Sequence, residues 1–240
     1  MKNYDNMTAE EYQVLYARFL GRDGEDLLER AGLQEGDTVI DLCSGPLTRV
    51  SLAALSMGAD EVWAIDENIQ MNQSPMANLE GANICVMQAI GFLACYSHVS
   101  ADVIACQQGI NYLLKPEVWT AKFSGRDGTT YNNQFLNFVK ARMGVGGKFV
   151  FNTFYKCPPM TPTTITYHIQ GLEYKELFYR DSKTDIIYHL QAVEGMEPHL
   201  TSFSWLSHPY LQIILNSVFD KVEVIPEGRT HIYICHKEAE

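Results

Sequence analysis

Thr38-Val39-Ile40-Asp41-Leu42-Cys43-Ser44-Gly45-Pro46-Leu47-Thr48 decides how this chain is read. Its opening run, Thr38 to Cys43, is apolar and β-branched and follows the turn residues Gln34-Glu35-Gly36-Asp37, so it reads as a buried parallel strand. Small residues come next, then a helix from Thr48 to Met57 closed by Gly58, then a second strand, Glu61 to Asp66, that ends in an acid. Strand, small-residue turn, helix amino terminus and acid form a nucleoside-binding geometry. Small side chains let a ligand approach the backbone, and the acid accepts hydrogen bonds from ribose hydroxyls. Asp66 lies 21 residues past Gly45, against the roughly 20 expected of such a unit.

Outward from this unit the rhythm repeats, with strands expected at Asn83 to Gln88, Ala101 to Cys106 and Gly147 to Phe151. Upstream, Tyr12, Leu15, Tyr16 and Phe19 form a helical stripe that opens on the capping box Thr8 and Glu11, and Leu27, Leu28 and Ala31 mark a second helix that stops at Gly32. Downstream, Thr163 to Gln170, Leu172 to Arg180 and Asp185 to Glu194 are rich in Thr, Tyr and Ile and read as antiparallel hairpins. A helix from about His208 to Val218 and strands at Lys221 to Ile225 and His231 to His236 finish the chain. The expected fold is α/β: a doubly wound, mostly parallel, seven-stranded Rossmann-like sheet with an antiparallel β insertion. Residues 1–240 read as one domain, with a helical segment over 1–33 and an inserted β lid for substrate over 156–205.

The 240 residues are 46% hydrophobic and 20% charged, enough for a core without disulfide staples, and the composition excludes collagen-like and disordered classes. A formal charge of -11 with scattered Lys and Arg opposes a phosphate backbone, so no nucleic-acid partner is expected. Six cysteines without a C-x-x-C pair fit a reduced, cytoplasmic protein. The polar, acidic start lacks the pattern of a signal peptide, and no apolar stretch is long enough to span a bilayer, so no membrane role is expected.

The turn lacks the G-x-G-x-x-G cradle of a dinucleotide, which argues against a nicotinamide oxidoreductase. Asp41 to Gly45, Asp66, the run Ala101-Asp102-Val103-Ile104-Ala105-Cys106-Gln107-Gln108 and the turn and strand Val145 to Val150 together resemble the class I S-adenosylmethionine-dependent methyltransferases over nearly the whole chain. The resemblance departs from the family in two places: only the central glycine of the family's G-x-G-x-G turn is kept, as Gly45, and the acid after the third strand is replaced by Ala89-Ile90. It implies that S-adenosylmethionine is the cofactor. Its amino-acid part would meet Asp41, Cys43, Ser44 and Gly45, its ribose Asp66 beside Glu67, and its adenine the backbone and apolar surface near Ala89 and Ile90. Gln107 would border the cofactor, and Arg22 would pair with the methionine carboxylate.

Each assignment has a plainer rival: Asp41 as a brace of the turn, Arg22 as a surface arginine, Glu67 as a solvated acid. Methyl transfer needs in-line alignment in a dry site more than a dedicated acid or base. Gln107, Gln108 and Asn111 after the fourth strand, and Tyr12 or Tyr16 on one face of the opening helix, are the polar groups expected near the methyl; core packing explains the tyrosines equally well. His168, His189, His199 and His208 fall in the insertion or at its end, with His168 taken as the candidate proton acceptor, and their spacing is not that of a metal site. The aromatic run Phe151-Asn152-Thr153-Phe154-Tyr155, with the hairpins that follow, suits a lid or wall against a small organic substrate, and packing or the contact face of a homodimer explains the same residues equally well. The expected activity is methylation of an oxygen or nitrogen of a small molecule, the alternative being a homologue that holds the cofactor without transferring methyl.

Overall fold

The computed structural model describes residues 8–15, 24–68, 70–71, 74, 76–116, 131–154, 160–227 and 230–238. In chain order these form α1 (Ala9–Leu15), α2 (Gly24–Ala31), β1 (Thr38–Leu42), α3 (Arg49–Ser56), β2 (Glu61–Asp66), β3 (Ala82–Val86), α4 (Ala89–Cys95), β4 (Ala101–Cys106) and α5 (Ile110–Leu113). There follow α6 (Tyr131–Arg142), β5 (Met143–Phe154), β6 (Thr163–Ile169), β7 (Leu172–Asp181), β8 (Ile186–Val193), β9 (His199–Ser204), α7 (His208–Asn216), β10 (Lys221–Glu227) and β11 (Thr230–His236).

Seven strands make the main sheet in the order β10-β11-β5-β4-β1-β2-β3. β1 to β5 run parallel, and β11 pairs antiparallel with β5 and with β10. Side-chain parity divides the core. Val39, Val62, Ala64, Val103, Ala105, Val150 and Ile232 pack with Leu27, Leu28, Val50 and Ala54 of α2 and α3 on one face. Ile40, Leu42, Ile65, Ile104, Phe149, Phe151 and Tyr233 pack with Phe92, Phe135 and Leu211 of α4, α6 and α7 on the other. Strands covered on both faces need near-continuous apolar runs, and that is what the sequence supplies.

The same parity places the acids. Asp41 alternates with Ile40 and Leu42, and Asp66 continues the row of Val62 and Ala64, so both carboxylates lie on the α3 side of the sheet, at its carboxyl edge.

Between β5 and α7 the chain leaves the main sheet to form an antiparallel meander, β6-β7-β8-β9. The hairpin strands expected from sequence are present, and β9 joins them as a fourth strand. Asn111 fastens this sheet to the main one. Its Nδ2 donates to the Ser204 carbonyl at 2.9 Å, and its Oδ1 accepts from Thr153 Oγ1 at 2.7 Å. Leu15 of α1 packs with Tyr174 and Val193 of the smaller sheet, and the Tyr174 hydroxyl donates to the Val14 carbonyl at 2.8 Å. No described helix is long and apolar enough to cross a membrane.

Gly24 sets the approach of α2 to α3, because a Cβ at that position would stand 2.4 Å from Val50 Cα. Backbone cannot yield as a side-chain tip can. Gly24→Ala is expected to lower stability by about 3 kcal/mol, the upper part of the usual overpacking range, as measured by urea unfolding.

Candidate functional site

Ligands in an open α/β sheet bind beyond the carboxyl ends of the strands, where the order reverses. Here that point is between β1 and β4, since the chain proceeds from β1 to β2 and β3 on one side and to β4 and β5 on the other. A cavity of about 520 Å³ opens there, a size that suits a cofactor together with part of a substrate. One half is lined by the turn after β1, the end of β2, the start of α4 and the turn after β4; the other half is lined by α5 and by the inward face of the smaller sheet.

The turn after β1 is built under conformational constraint. Cys43 has φ 57 and Thr48 φ 47, a left-handed backbone that residues with a Cβ adopt at a cost of order 1 kcal/mol, and Gly45 takes φ 63. Two hydrogen bonds hold it. The Ser44 amide donates to the Ile65 carbonyl at 3.1 Å. The Gly45 amide donates to Asp66 Oδ2 at 2.9 Å. Asp66 Oδ1 accepts from the Asn68 amide at 2.9 Å, so this carboxylate is a brace as well as part of the cavity lining. After β4, Gln108 also has a left-handed backbone, φ 58, and its amide donates to Asn152 Oδ1 at 2.6 Å. A Cβ on Gly109 would lie 2.4 Å from Cys43 Cβ and 2.9 Å from Cys106 Sγ, so the two turns close on each other with no space to spare.

Asp41 is 1% exposed. Its Oδ2 accepts from the Ser51 amide at 3.1 Å and from Ser51 Oγ at 2.7 Å, bracing the first turn of α3. Its Oδ1 is buried with no hydrogen-bond partner. Burial pushes the carboxyl up to about 7, with the Asp66 charge adding to the rise and the Ser51 bonds and Arg49 opposing it. Arg49, the first residue of α3, also lines the cavity and donates to the Tyr12 hydroxyl, while burial raises that phenol to about 12.

The residues singled out from sequence divide clearly. Asp41, Cys43, Ser44, Asp66, Glu67, Ala89, Ile90, Gln107, Gln108, Asn111 and Tyr12 all line the one cavity, with Gly45 behind them in the turn. Asn111 differs from expectation: both ends of its amide are engaged with Ser204 and Thr153, so it fixes the wall in place instead of facing a methyl group. His168 lies elsewhere, exposed on β6, where it borders a shallow groove with Glu173 and Lys175. The histidine that borders the main cavity is His189. Tyr16 and Arg22 fall outside the described residues. Sequence reading missed Arg49, Lys115, Tyr131 and the wall residues Phe178, Thr201 and Phe203. Arg49 had a usable signal, a cation at the helix start just past the small-residue turn; the wall residues needed the sheet packing to be known. Among the described residues no group of three His, Cys, Asp or Glu side chains is placed to hold a metal.

No family model matches the chain, and no curated protein does. Solved structures do. The chain superposes on the CcbJ methyltransferase of Streptomyces caelestis with a TM-score of 0.66 at 14% identity, covering 90% of this chain and 94% of that one. An S-adenosylmethionine-dependent methyltransferase of Clostridium acetobutylicum gives 0.67 at 10% identity, with 96% and 99% covered. CalS10, an amino pentose methyltransferase of Micromonospora echinaspora with bound S-adenosylmethionine, gives 0.65 at 11% identity, with 94% and 97% covered. The fold is therefore the Rossmann-like fold of these methyltransferases.

The Asp41 environment sets a pH dependence. Its carboxyl is raised in the folded chain, so between roughly pH 4 and 7 the folded state keeps a proton that the unfolded state has released. This stabilising contribution is complete below the unfolded value and is lost as pH rises through about 7. Ligand-free protein is expected to lose about 2–3 kcal/mol between pH 5 and 8 through this group. Asp41→Asn, which keeps an acceptor for Ser51, is expected to remove that slope from urea-unfolding curves recorded at the two pH values.

Proposed function

We propose that the protein is an S-adenosylmethionine-dependent methyltransferase acting on a small organic molecule. The observation that carries this reading is the pairing, in one cavity at the strand-order reversal, of a buried unpartnered carboxylate oxygen on Asp41 with the Arg49 guanidinium. An amino acid is a zwitterion, and this pair offers an acceptor for its ammonium and a donor for its carboxylate. The Asp66 carboxylate, which accepts two backbone amides at the end of β2, lines the same cavity where the ribose hydroxyls would lie. Ala89 and Ile90 add apolar surface for a base. Arg49 replaces Arg22 in this reading as the cation for the methionine carboxylate.

Bound S-adenosylmethionine would supply an electrophilic methyl group on a sulfonium. The chain's contribution is orientation and exclusion of water, which suffices to lower such a barrier substantially. Phe178, Phe203, Tyr112 and Tyr131 make the far half of the cavity largely aromatic, a surface for the flat or apolar body of a small acceptor. The smaller sheet acts as the substrate wall, within a single domain. The solved structures support this reading through their fold, and CalS10 through its bound cofactor.

Calorimetry and thermal unfolding with S-adenosylhomocysteine test it: micromolar binding and a raised Tm are expected. Absence of both with millimolar S-adenosylmethionine or S-adenosylhomocysteine overturns it. Arg49→Ala is expected to weaken S-adenosylhomocysteine at least tenfold, about 1.4 kcal/mol, and to leave 5′-methylthioadenosine, which lacks the amino-acid end, within about twofold. Label from methyl-labelled cofactor appearing in small molecules of a metabolite extract separates an enzyme from a mere binder.

A further inference from the structure

Among its aromatic and apolar residues, the inward face of the smaller sheet carries a cluster of buried polar side chains. Glu176 is 1% exposed and His189 6%, and Gln191, His199 and Thr201 are buried beside them. A buried polar cluster is the informative exception to ordinary core composition. Register explains how it is assembled: Phe178, His189 and Thr201 stand side by side across β7, β8 and β9, and Glu176 faces Gln191 in the neighbouring row.

His189 is held in a defined pose. The Phe178 ring stacks on it with centroids 4.0 Å apart and planes within 10°. Its Nε2 is buried without a hydrogen-bond partner and lies 3.7 Å from Glu176 Oε1. Glu176 is itself fixed, accepting from the Tyr167 hydroxyl at 2.6 Å and from Gln191 Nε2 at 3.3 Å. The imidazole borders the cavity on the wall opposite the cofactor half. A base oriented by a carboxylate, with its ring plane locked and an open cavity before it, is the arrangement used to activate a weak nucleophile. The 3.7 Å gap shortens to a hydrogen bond when the ring gains a proton, as such contacts do on going from free enzyme to complex.

We propose that His189 is the proton acceptor for methylation of a hydroxyl group on a ring-bearing small molecule, with Glu176 as its positioning residue; this deepens the methyltransferase reading and rests on it. With Nε2 turned to Glu176, Nδ1 is the nitrogen left for the acceptor. The acceptor oxygen forms its bond to the methyl carbon as the carbon–sulfur bond breaks, the bonding pair passes to sulfur, and the hydroxyl proton passes to Nδ1. The resulting imidazolium is compensated by the Glu176 carboxylate. The base is what selects oxygen over nitrogen. A free amine already presents its lone pair and gains nothing from a base in the transition state, whereas a hydroxyl is a poor nucleophile until its proton is taken.

The test uses the full chain labelled with 15N at histidine and saturated with S-adenosylhomocysteine, with phenol as the probe and aniline as its amine counterpart. The His189 resonances are identified through the contact with Phe178 and by their loss in His189→Asn. Phenol is expected to move them saturably and more strongly than aniline. Glu176→Gln, which keeps the side chain's size, is expected to shift the ring out of the Nε2–H tautomer, a change that lost packing alone does not produce. His189 resonances indifferent to millimolar phenol or an equal response to aniline overturns the proposal, as does, in a parallel assay with methyl-labelled S-adenosylmethionine in place of S-adenosylhomocysteine, label passing to aniline and not to phenol. If S-adenosylhomocysteine itself fails to bind, the methyltransferase reading falls instead; if it binds while His189 stays silent, only this assignment falls.

Discussion

The hydrogen bond from the Gly45 amide to Asp66 Oδ2, 2.9 Å long and buried, ties the end of β1 to the end of β2 across the mouth of the sheet. Much of the site depends on it. A turn that carries Cys43 and Thr48 in left-handed backbone gives up conformational energy, and it persists only because its surroundings over-determine it. The Asp66 carboxylate supplies one constraint, the Ser44 amide bonded to Ile65 a second, and the close approach of Gly109 to Cys43 a third. The consequence is a rigid concave edge in which small side chains expose backbone to the cavity. A single glycine, Gly45, in the turn does not open or collapse this edge, because the left-handed geometry at Cys43 and Thr48 is kept by contacts where glycine would have made it inexpensive.

Electrostatics in the site follow from the same crowding. Two acids, Asp41 and Asp66, are buried on the α3 side of the sheet within range of each other's field, and Arg49 is the cation the described cavity places beside them. Asp41 spends one oxygen on Ser51 and leaves the other buried with no hydrogen-bond partner, an arrangement that is costly for the ionised carboxylate. With no added cation the carboxyl, raised by burial to about 7, holds its proton below neutrality; a cation placed beside it favours the anion. Ligand binding and ionisation of Asp41 are thereby coupled.

The half of this molecule that depends on local pattern was open to sequence reading. Strand, small turn and terminal acid recur within a few dozen residues, and parity along each strand fixes which side chains share a face, so the main sheet, the cavity edge, Asp41 and Asp66 could be located in advance. What was missed needs distant contacts. His168 and His189 both lie on hairpin strands, and choosing between them requires knowing which face of the smaller sheet turns inward. Glu176 and Gln191, alternating with apolar neighbours on the same face as His189, were the available hint, but alternation does not say which face is covered. Asn111 misled for a related reason. Its position after β4 suits a role at the methyl, yet its amide is consumed by Ser204 and Thr153, partners 93 and 42 residues away in the chain.

That misreading points to how the two sheets cooperate. The cavity edge is an attribute of the main sheet, while the wall is carried by a meander that the chain inserts between β5 and α7. Side chains on separate sheets would drift relative to each other unless something fixed the spacing across the cavity. Asn111 sits on the element just after β4, reaches the end of β5 through Thr153, and holds β9 through Ser204. Tyr112, its neighbour, packs its ring against Phe203 of the same strand at 5.6 Å. The wall is thus registered to the carboxyl ends of the strands that bear the cavity edge, by buried polar bonds whose directionality sets position more sharply than apolar packing alone. Asn111 borders the cavity, and through its two amide bonds it acts as the ruler between the cavity's two halves.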